Sequence, residues 1–204
     1  MDTQLNAEQT LQTCLRRCQE LGFAPTQFIF TASVATQTAR LLENTGAQRT
    51  GAPYQVTKEY RISTSKFGIG QIAGSNKTPL GLHRIAEKIG DGCEAGTVFK
   101  HRKVIGHLRD GLPLESITTR ILWLEGLEEG FNRGGNVDTH SRYIYIHGFG
   151  DQNSLGKPAS LGCIHLADAD LIPLYDLLPS GTLVWIAAGR DGDFISATER
   201  WIGG

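Results

Sequence analysis

The sequence predicts a mainly β domain with a few helices. Three observations carry this. Beyond Pro25 the chain breaks into short β-rich runs punctuated by Gly, Asn and Thr clusters. Two stretches carry helical periodicity. A length of 204 residues at 40% apolar content suffices for one sizeable core. In chain order, Leu5, Leu11, Leu15 and Leu21, together with Cys14 and Cys18, recur at roughly helical spacing, and Gly22 supplies a stop. Residues 1–25 therefore read as an N-terminal helical extension. Cys14 and Cys18, four apart, share a helix face and read as small apolar groups packed against a neighbour, since a metal pair would need further Cys or His close by. Strands are expected at 28–34, 54–62, 117–124 and 143–146. A second helix is expected over 168–178, with Asp168 as its cap and Leu171, Ile172, Leu174, Leu177 and Leu178 as its apolar stripe. Pro179-Ser180-Gly181 forces a turn, 182–187 reads as a short buried strand, and 189–204 as a polar tail in which Trp201 has no assigned role.

Charge narrows the function. Twenty Lys and Arg against twenty-one Asp and Glu give a net charge of −1 with no run of like charges, so neither nucleic acid nor an anionic membrane is an expected partner. A small, specific ligand is the better expectation. No stretch of about 18 apolar residues exists, and MDTQLNAEQT lacks the basic and apolar regions of a secretory leader, so the expected location is cytoplasmic, or periplasmic if a leader has been trimmed away. The four cysteines, at 14, 18, 93 and 163, are too sparse for a disulfide scaffold and read as reduced thiols.

Chemistry concentrates in YIYIHGFGDQNSLGKPASLGCIHL, residues 143–166. It joins a strand ending in His147, a glycine-punctuated loop, and Cys163 between Gly162 and Ile164. A thiol reacts as thiolate, and an imidazole returned to its side by the loop can take its proton. A glycine before the nucleophile lets main-chain amides face a developing oxyanion.

This segment resembles the signature of the YkuD-type L,D-transpeptidase domain, in which His-Gly precedes Ser-x-Gly-Cys by a loop of this length; here the matching residues are His147-Gly148 and Ser160-Leu161-Gly162-Cys163. QFIFTASVATQTARLLE and YQVTKEYRISTSK resemble the family's opening strands, Thr78-Pro79-Leu80-Gly81 its TPxG turn, and 167–186 its closing helix, turn and strand. The resemblance thus implies a YkuD-like β-sandwich or barrel over residues 26–188. It implies Cys163 as nucleophile, His147 as base, the Gly148 carbonyl as the group orienting the imidazole, and amides of Gly162 and Cys163 as the oxyanion hole. Ser160, His165, Arg133 and Arg142 are the candidate substrate-binding residues. His165 stands where the family usually has Arg or Asn, and could hold a carboxylate only weakly and when protonated. Leu161 stands where the family often has His or Lys. The implied partners are peptidoglycan stem peptides or muropeptides, and carbapenem-like inhibitors; no cofactor is implied.

The expected reaction is acyl transfer through a thioester. Water as acceptor makes an L,D-carboxypeptidase releasing terminal D-Ala from murein tetrapeptides in wall recycling, the favoured reading; a second peptide's amine makes an L,D-transpeptidase. From another class comes a zinc-dependent hydrolase, with His147, Cys163 and His165 as ligands around an open position. A silent wall-peptide binding module would be expected to have lost nucleophile or base. His83, His101 and His107 form no ligand pattern and read as structural or surface residues.

Overall fold

Among the residues that the computed structural model describes, 2–46 and 53–189, ten strands join in one sheet flanked by two α-helices. Helix α1 is Asp2–Leu21 and α2 is Asp168–Leu177. The strands are β1 (Phe28–Ser33), β2 (Thr38–Asn44), β3 (Tyr54–Arg61), β4 (Gly81–Ile89), β5 (Thr97–Lys100), β6 (Lys103–His107), β7 (Ile117–Gly126), β8 (Tyr145–Phe149), β9 (Ile164–Leu166) and β10 (Leu183–Ala187). Their order is β3-β2-β1-β10-β4-β7-β5-β6, with β8 branching from β7 and carrying β9 beside it. The mainly β architecture read from the sequence is present; β2, β4, β5, β6 and β9 are additions to the strand ranges expected from it. All of the tail from 190 onward, including Trp201, lies outside the described residues.

Alternation along the central strands builds two cores on opposite sides of the sheet. In β1, Phe30 and Ala32 enter the larger core while Ile29 enters the other; in β10, Val184 and Ile186 divide from Leu183 and Trp185 in the same way. The larger core is closed by α2 through Leu171, Leu174 and Tyr175. The second is closed by α1, whose Leu11, Cys14 and Cys18 pack on Ile29, Leu82, Leu183 and Trp185. Cys14 and Cys18 are fully buried, the packing role their spacing suggests. The cap of α2 is Ala167, one residue earlier than expected: the Asp168 carboxylate is drawn away to β7, where Thr119 Oγ1 donates to it at 2.6 Å.

An ion pair fastens α1 to the loop after β7. Arg17 Nε and Nη2 lie 2.8 and 2.6 Å from Glu128 Oε2, and Glu128 Oε1 accepts from the Leu82 N–H at 2.6 Å. Glu128 is 2% exposed, and Arg17 is its ion-pair partner. Replacing Arg17 with Met is expected to lower unfolding free energy by about 3 kcal/mol, because an unpaired buried carboxylate remains. Urea denaturation of the two proteins measures this, and an unchanged midpoint would refute the anchoring role.

Candidate active site

Strands β8 and β9 run parallel, with Ile146 opposite Ile164 and His147 opposite His165. Ile144, Ile146, Ile164 and Leu166 point into the larger core. The alternate residues, Tyr145 and His147 on β8 with Cys163 and His165 at β9, therefore share the other face. Contacts there follow the register. The His147 and His165 rings lie 4.7 Å apart, and the Tyr145 N–H reaches Cys163 Sγ at 3.4 Å. Cys163 and His147 are diagonal neighbours on this face.

A tight turn presents the thiol. Ser160 Oγ donates to the Cys163 carbonyl at 2.6 Å and accepts from the Gly162 N–H at 3.2 Å, while the Gly162 carbonyl accepts from Thr78 Oγ1 at 3.1 Å. Gly162 has φ +123°, where L side chains are rare, and a Cβ there would sit 3.2 Å from Ile144 Cδ1 and 3.3 Å from the Lys77 carbonyl. Ser160 is thus a buried brace of the nucleophile turn, which corrects its expected role in substrate binding. The Gly162 N–H, expected in the oxyanion hole, is held by that brace.

The imidazole is fixed from behind. His147 Nδ1 lies 2.7 Å from the Gly148 carbonyl. A carbonyl only accepts, so Nδ1 carries the proton and Nε2 is left with its lone pair as a base. Gly148 packs against β7 and the head of α2, where a Cβ would meet the Thr118 carbonyl at 2.8 Å and Asp168 Oδ1 at 2.6 Å. Opposite it, β7 leaves its register between Thr118 and Ile121, and Thr119 takes φ +70°, which is strained for a β-branched residue. Burial pulls His147 down to about 4, and pushes the Cys163 thiol up to about 11 against the smaller pull of Arg142. The resting pair is neutral thiol and neutral imidazole. Cys163 is half-buried, and its S–H is directed at the Tyr143 carbonyl, 3.5 Å away.

The other expected substrate contacts are placed elsewhere. His165 is 4% exposed, stacked on Phe149 at 4.1 Å, its Nδ1 without a partner; burial and then His147 hold it far below the usual imidazole range. It is a neutral packing partner of His147, which corrects its reading as a carboxylate contact. Arg133 pairs with Glu129 at 3.0 Å on the surface. Arg142 donates from Nη1 to the Gly70 and Gln71 carbonyls at 3.2 and 2.7 Å, and from Nη2 to the Lys77 carbonyl at 2.6 Å, so it clamps the loop before β4 instead of presenting a free fork. Among the described residues no three His, Cys, Asp or Glu side chains are arranged to hold a metal ion, so His147, Cys163 and His165 do not make the zinc site considered above.

Two features escape sequence reasoning. A cavity of about 270 Å³ adjoins the nucleophile turn, lined by Asn76, Asp138, Arg142, Tyr143 and Leu161 among others. Around the thiol stand Trp123, Tyr143 and Tyr145, with the Arg102 guanidinium 4.7 Å from the Trp123 ring. These residues come from three separated stretches of chain, and no local pattern joins them.

Comparison with known proteins agrees with the fold. The model of the YkuD family, described as the L,D-transpeptidase catalytic domain, matches residues 28–186. No curated protein matches the chain. Among solved structures, a Bdellovibrio bacteriovorus protein is similar over 87% of this chain and 56% of its own, at 15% identity and a TM-score of 0.51. An L,D-transpeptidase from Mycobacterium smegmatis is similar over 79% and 59%, at 16% identity and a TM-score of 0.47. L,D-transpeptidase 3 from Mycobacterium tuberculosis, in complex with a faropenem-derived adduct, is similar over 79% and 60%, at 16% identity and a TM-score of 0.46. The chain spans about three fifths of the length of these mycobacterial chains.

Two pH dependences follow from the burial. Alkylation of Cys163 by iodoacetamide, followed by peptide mass analysis, is expected to rise about tenfold per pH unit between about pH 7 and 10 without levelling. A plateau near the ordinary thiol range would refute the raised value. Folding stability also falls in acid, through the histidines. His83 and His147 are held down to about 4 by burial, and His165 lower, whereas the unfolded chain protonates at the usual 6.5. As pH falls from the unfolded value through the folded ones, the unfolded state binds the extra protons, and each histidine is expected to cost about 1.4 kcal/mol per pH unit. Urea midpoints across that window check it; a flat profile would show these imidazoles to be solvated.

Proposed function

The chain belongs to the YkuD family of L,D-transpeptidase catalytic domains, and on that premise we propose that it catalyses cysteine-dependent acyl transfer on L,D-configured stem peptides of peptidoglycan, with water as the acceptor. The observation that carries this reading is the shared face of β8 and β9, which sets a thiol diagonal to an imidazole whose Nδ1–H is tied to the Gly148 carbonyl.

In the first half-reaction, His147 Nε2 takes the Cys163 proton as Sγ attacks the carbonyl of the L-centre. The tetrahedral oxyanion is received by the Cys163 main-chain N–H. Collapse breaks the C–N bond, the His147 imidazolium protonates the departing amine of the D-residue, and a thioester remains. In the second, His147 Nε2 takes a proton from water, hydroxide adds to the thioester carbonyl, and collapse expels the thiolate, which regains its proton from His147. The neutral resting pair suits this scheme: the thiolate forms as the proton moves to Nε2, and burial that disfavours it at rest makes it strongly nucleophilic once formed.

A cavity of about 270 Å³ beside the nucleophile turn, lined by Arg142, Tyr143 and Leu161 among others, offers room for a peptide end whichever acceptor follows. The function so proposed is L,D-carboxypeptidase, trimming tetrapeptides in cytoplasmic wall recycling. By the same thiol chemistry, carbapenem-like β-lactams would acylate Cys163.

A defined murein tetrapeptide, incubated with and without an amine acceptor and followed by mass spectrometry, tests the proposal. Release of terminal D-Ala in water is expected, abolished by Cys163→Ala and lowered about 10²- to 10⁴-fold in kcat by His147→Ala. The same spectra should show a carbapenem adduct on the intact protein and none on Cys163→Ala. Efficient joining of two peptides without D-Ala release in water would replace hydrolysis by cross-linking, and turnover that survives Cys163→Ala would remove the mechanism.

A further inference from the structure

We propose that Arg102 is a specificity-determining residue that receives a substrate carboxylate beside the thiol. The proposal rests on the acyl-transfer reading above and adds the group that orients the peptide.

The turn between β5 and β6 is the first observation. Lys100 pairs with Lys103, so His101 and Arg102 are the two central residues of a two-residue hairpin loop. Both have positive φ, +49° and +66°. Asn-Gly is the ordinary solution for this conformation, because left-handed backbone disfavours residues with longer side chains. A long cationic side chain is thus kept at the tip against the preference of the backbone, the kind of outlier that accompanies function.

Where that side chain goes is the second observation. Arg102 Cζ lies 4.7 Å from the Trp123 ring centroid and 5.1 Å from that of Tyr143, and Nη1 lies 3.4 Å from Tyr145 Oη. Tyr143 and Tyr145 are also the residues whose main-chain atoms flank Cys163 Sγ, at 3.5 and 3.4 Å. Guanidinium and nucleophile therefore stand on the same two tyrosines. The platform is rigid: the Trp123 ring stacks on His140 with centroids 4.0 Å apart, and its Nε1–H donates to the His140 carbonyl at 3.1 Å.

Availability is the third. Arg133 is paired with Glu129, and Arg142 serves three main-chain carbonyls. Among the described residues no carboxylate lies within ion-pair distance of Arg102; Glu87, the acid that acts on it from further away, is engaged by His140 Nε2 at 3.2 Å. A guanidinium held over aromatic rings keeps a planar fork of N–H donors, two of which a carboxylate can accept together. A stem peptide offers such a group at its C-terminal D-residue, or on an acidic side chain of the residue bearing the scissile carbonyl.

Calorimetric titration of the Cys163→Ala protein tests this without turnover. The ligands are a murein tetrapeptide with both carboxylates free, its C-terminal amide, and its side-chain amide, each measured with Arg102 present and with Arg102→Asn. Asn tolerates positive φ, so the turn is kept while the charge is lost. With Arg102 present, one of the two amides should bind about ten- to a hundredfold more weakly than the acid. In the Arg102→Asn protein that difference should fall below about twofold, and in Arg102→Lys it should be intermediate, since Lys keeps the charge and loses the fork. The amide that shows the effect identifies the carboxylate. Equal losses in both backgrounds, or no measurable binding of the acid form, overturn the assignment. The reading of the reaction fails separately, by absence of D-Ala release from the protein with Cys163 and Arg102 intact.

Discussion

Parallel pairing of β8 with β9 is the constraint on which the site depends. Isoleucines at 144, 146 and 164, with Leu166, are buried in the larger core, and because side chains alternate, their burial compels Tyr145, His147, Cys163 and His165 to the opposite face. A slip of one residue would send the imidazole and thiol into hydrocarbon. Parallel neighbours need a long connection, and residues 150–163 supply it; its end is tightened by Ser160 so that the chain enters β9 with the thiol outward. Nucleophile and base are thus placed by core packing, with no direct bond between them at rest.

That placement was legible because it is local and periodic. YIYIHGF and GCIHL show alternation, and the two glycines mark special backbone: a Cβ at Gly148 would lie 2.8 Å from the Thr118 carbonyl, and Gly162 has φ +123°. The mainly β class and the two helices were legible for the same reason. Other strands are hidden where the period is broken: β4 shifts register between Ile85 and Glu87, and the β5–β6 hairpin is short, bulged and turned by His101-Arg102 instead of by Asn or Gly.

What sequence could not supply was depth and commitment. Parity rightly sets His165 on the face of His147, yet only the fold shows Phe149 lying over it, which converts a supposed anion contact into neutral packing. Arg142 has the chemistry of a substrate clamp, and the fold commits its guanidinium to three main-chain carbonyls. Asp168 has the chemistry of a helix cap, but Thr119, distant in sequence, donates to its carboxylate at 2.6 Å. The aromatic platform around the thiol is assembled from strand β7, the segment before β8 and a hairpin tip, so no window of sequence contains it.

The irregularity in β7 has a mechanical consequence. Thr119 and Arg120 fall out of the ladder opposite His147-Gly148, and each takes hold of a different neighbour. Thr119 grips Asp168 at the head of α2, while Arg120 turns inward to face the Tyr175 ring at 5.3 Å and to donate to the Cys93 carbonyl at 2.6 Å. Two residues released from pairing thus rivet α2 to the strand that backs the imidazole. A displacement of that helix would be transmitted to His147 through Thr119 and Gly148, a lever arm whose fulcrum is the kink.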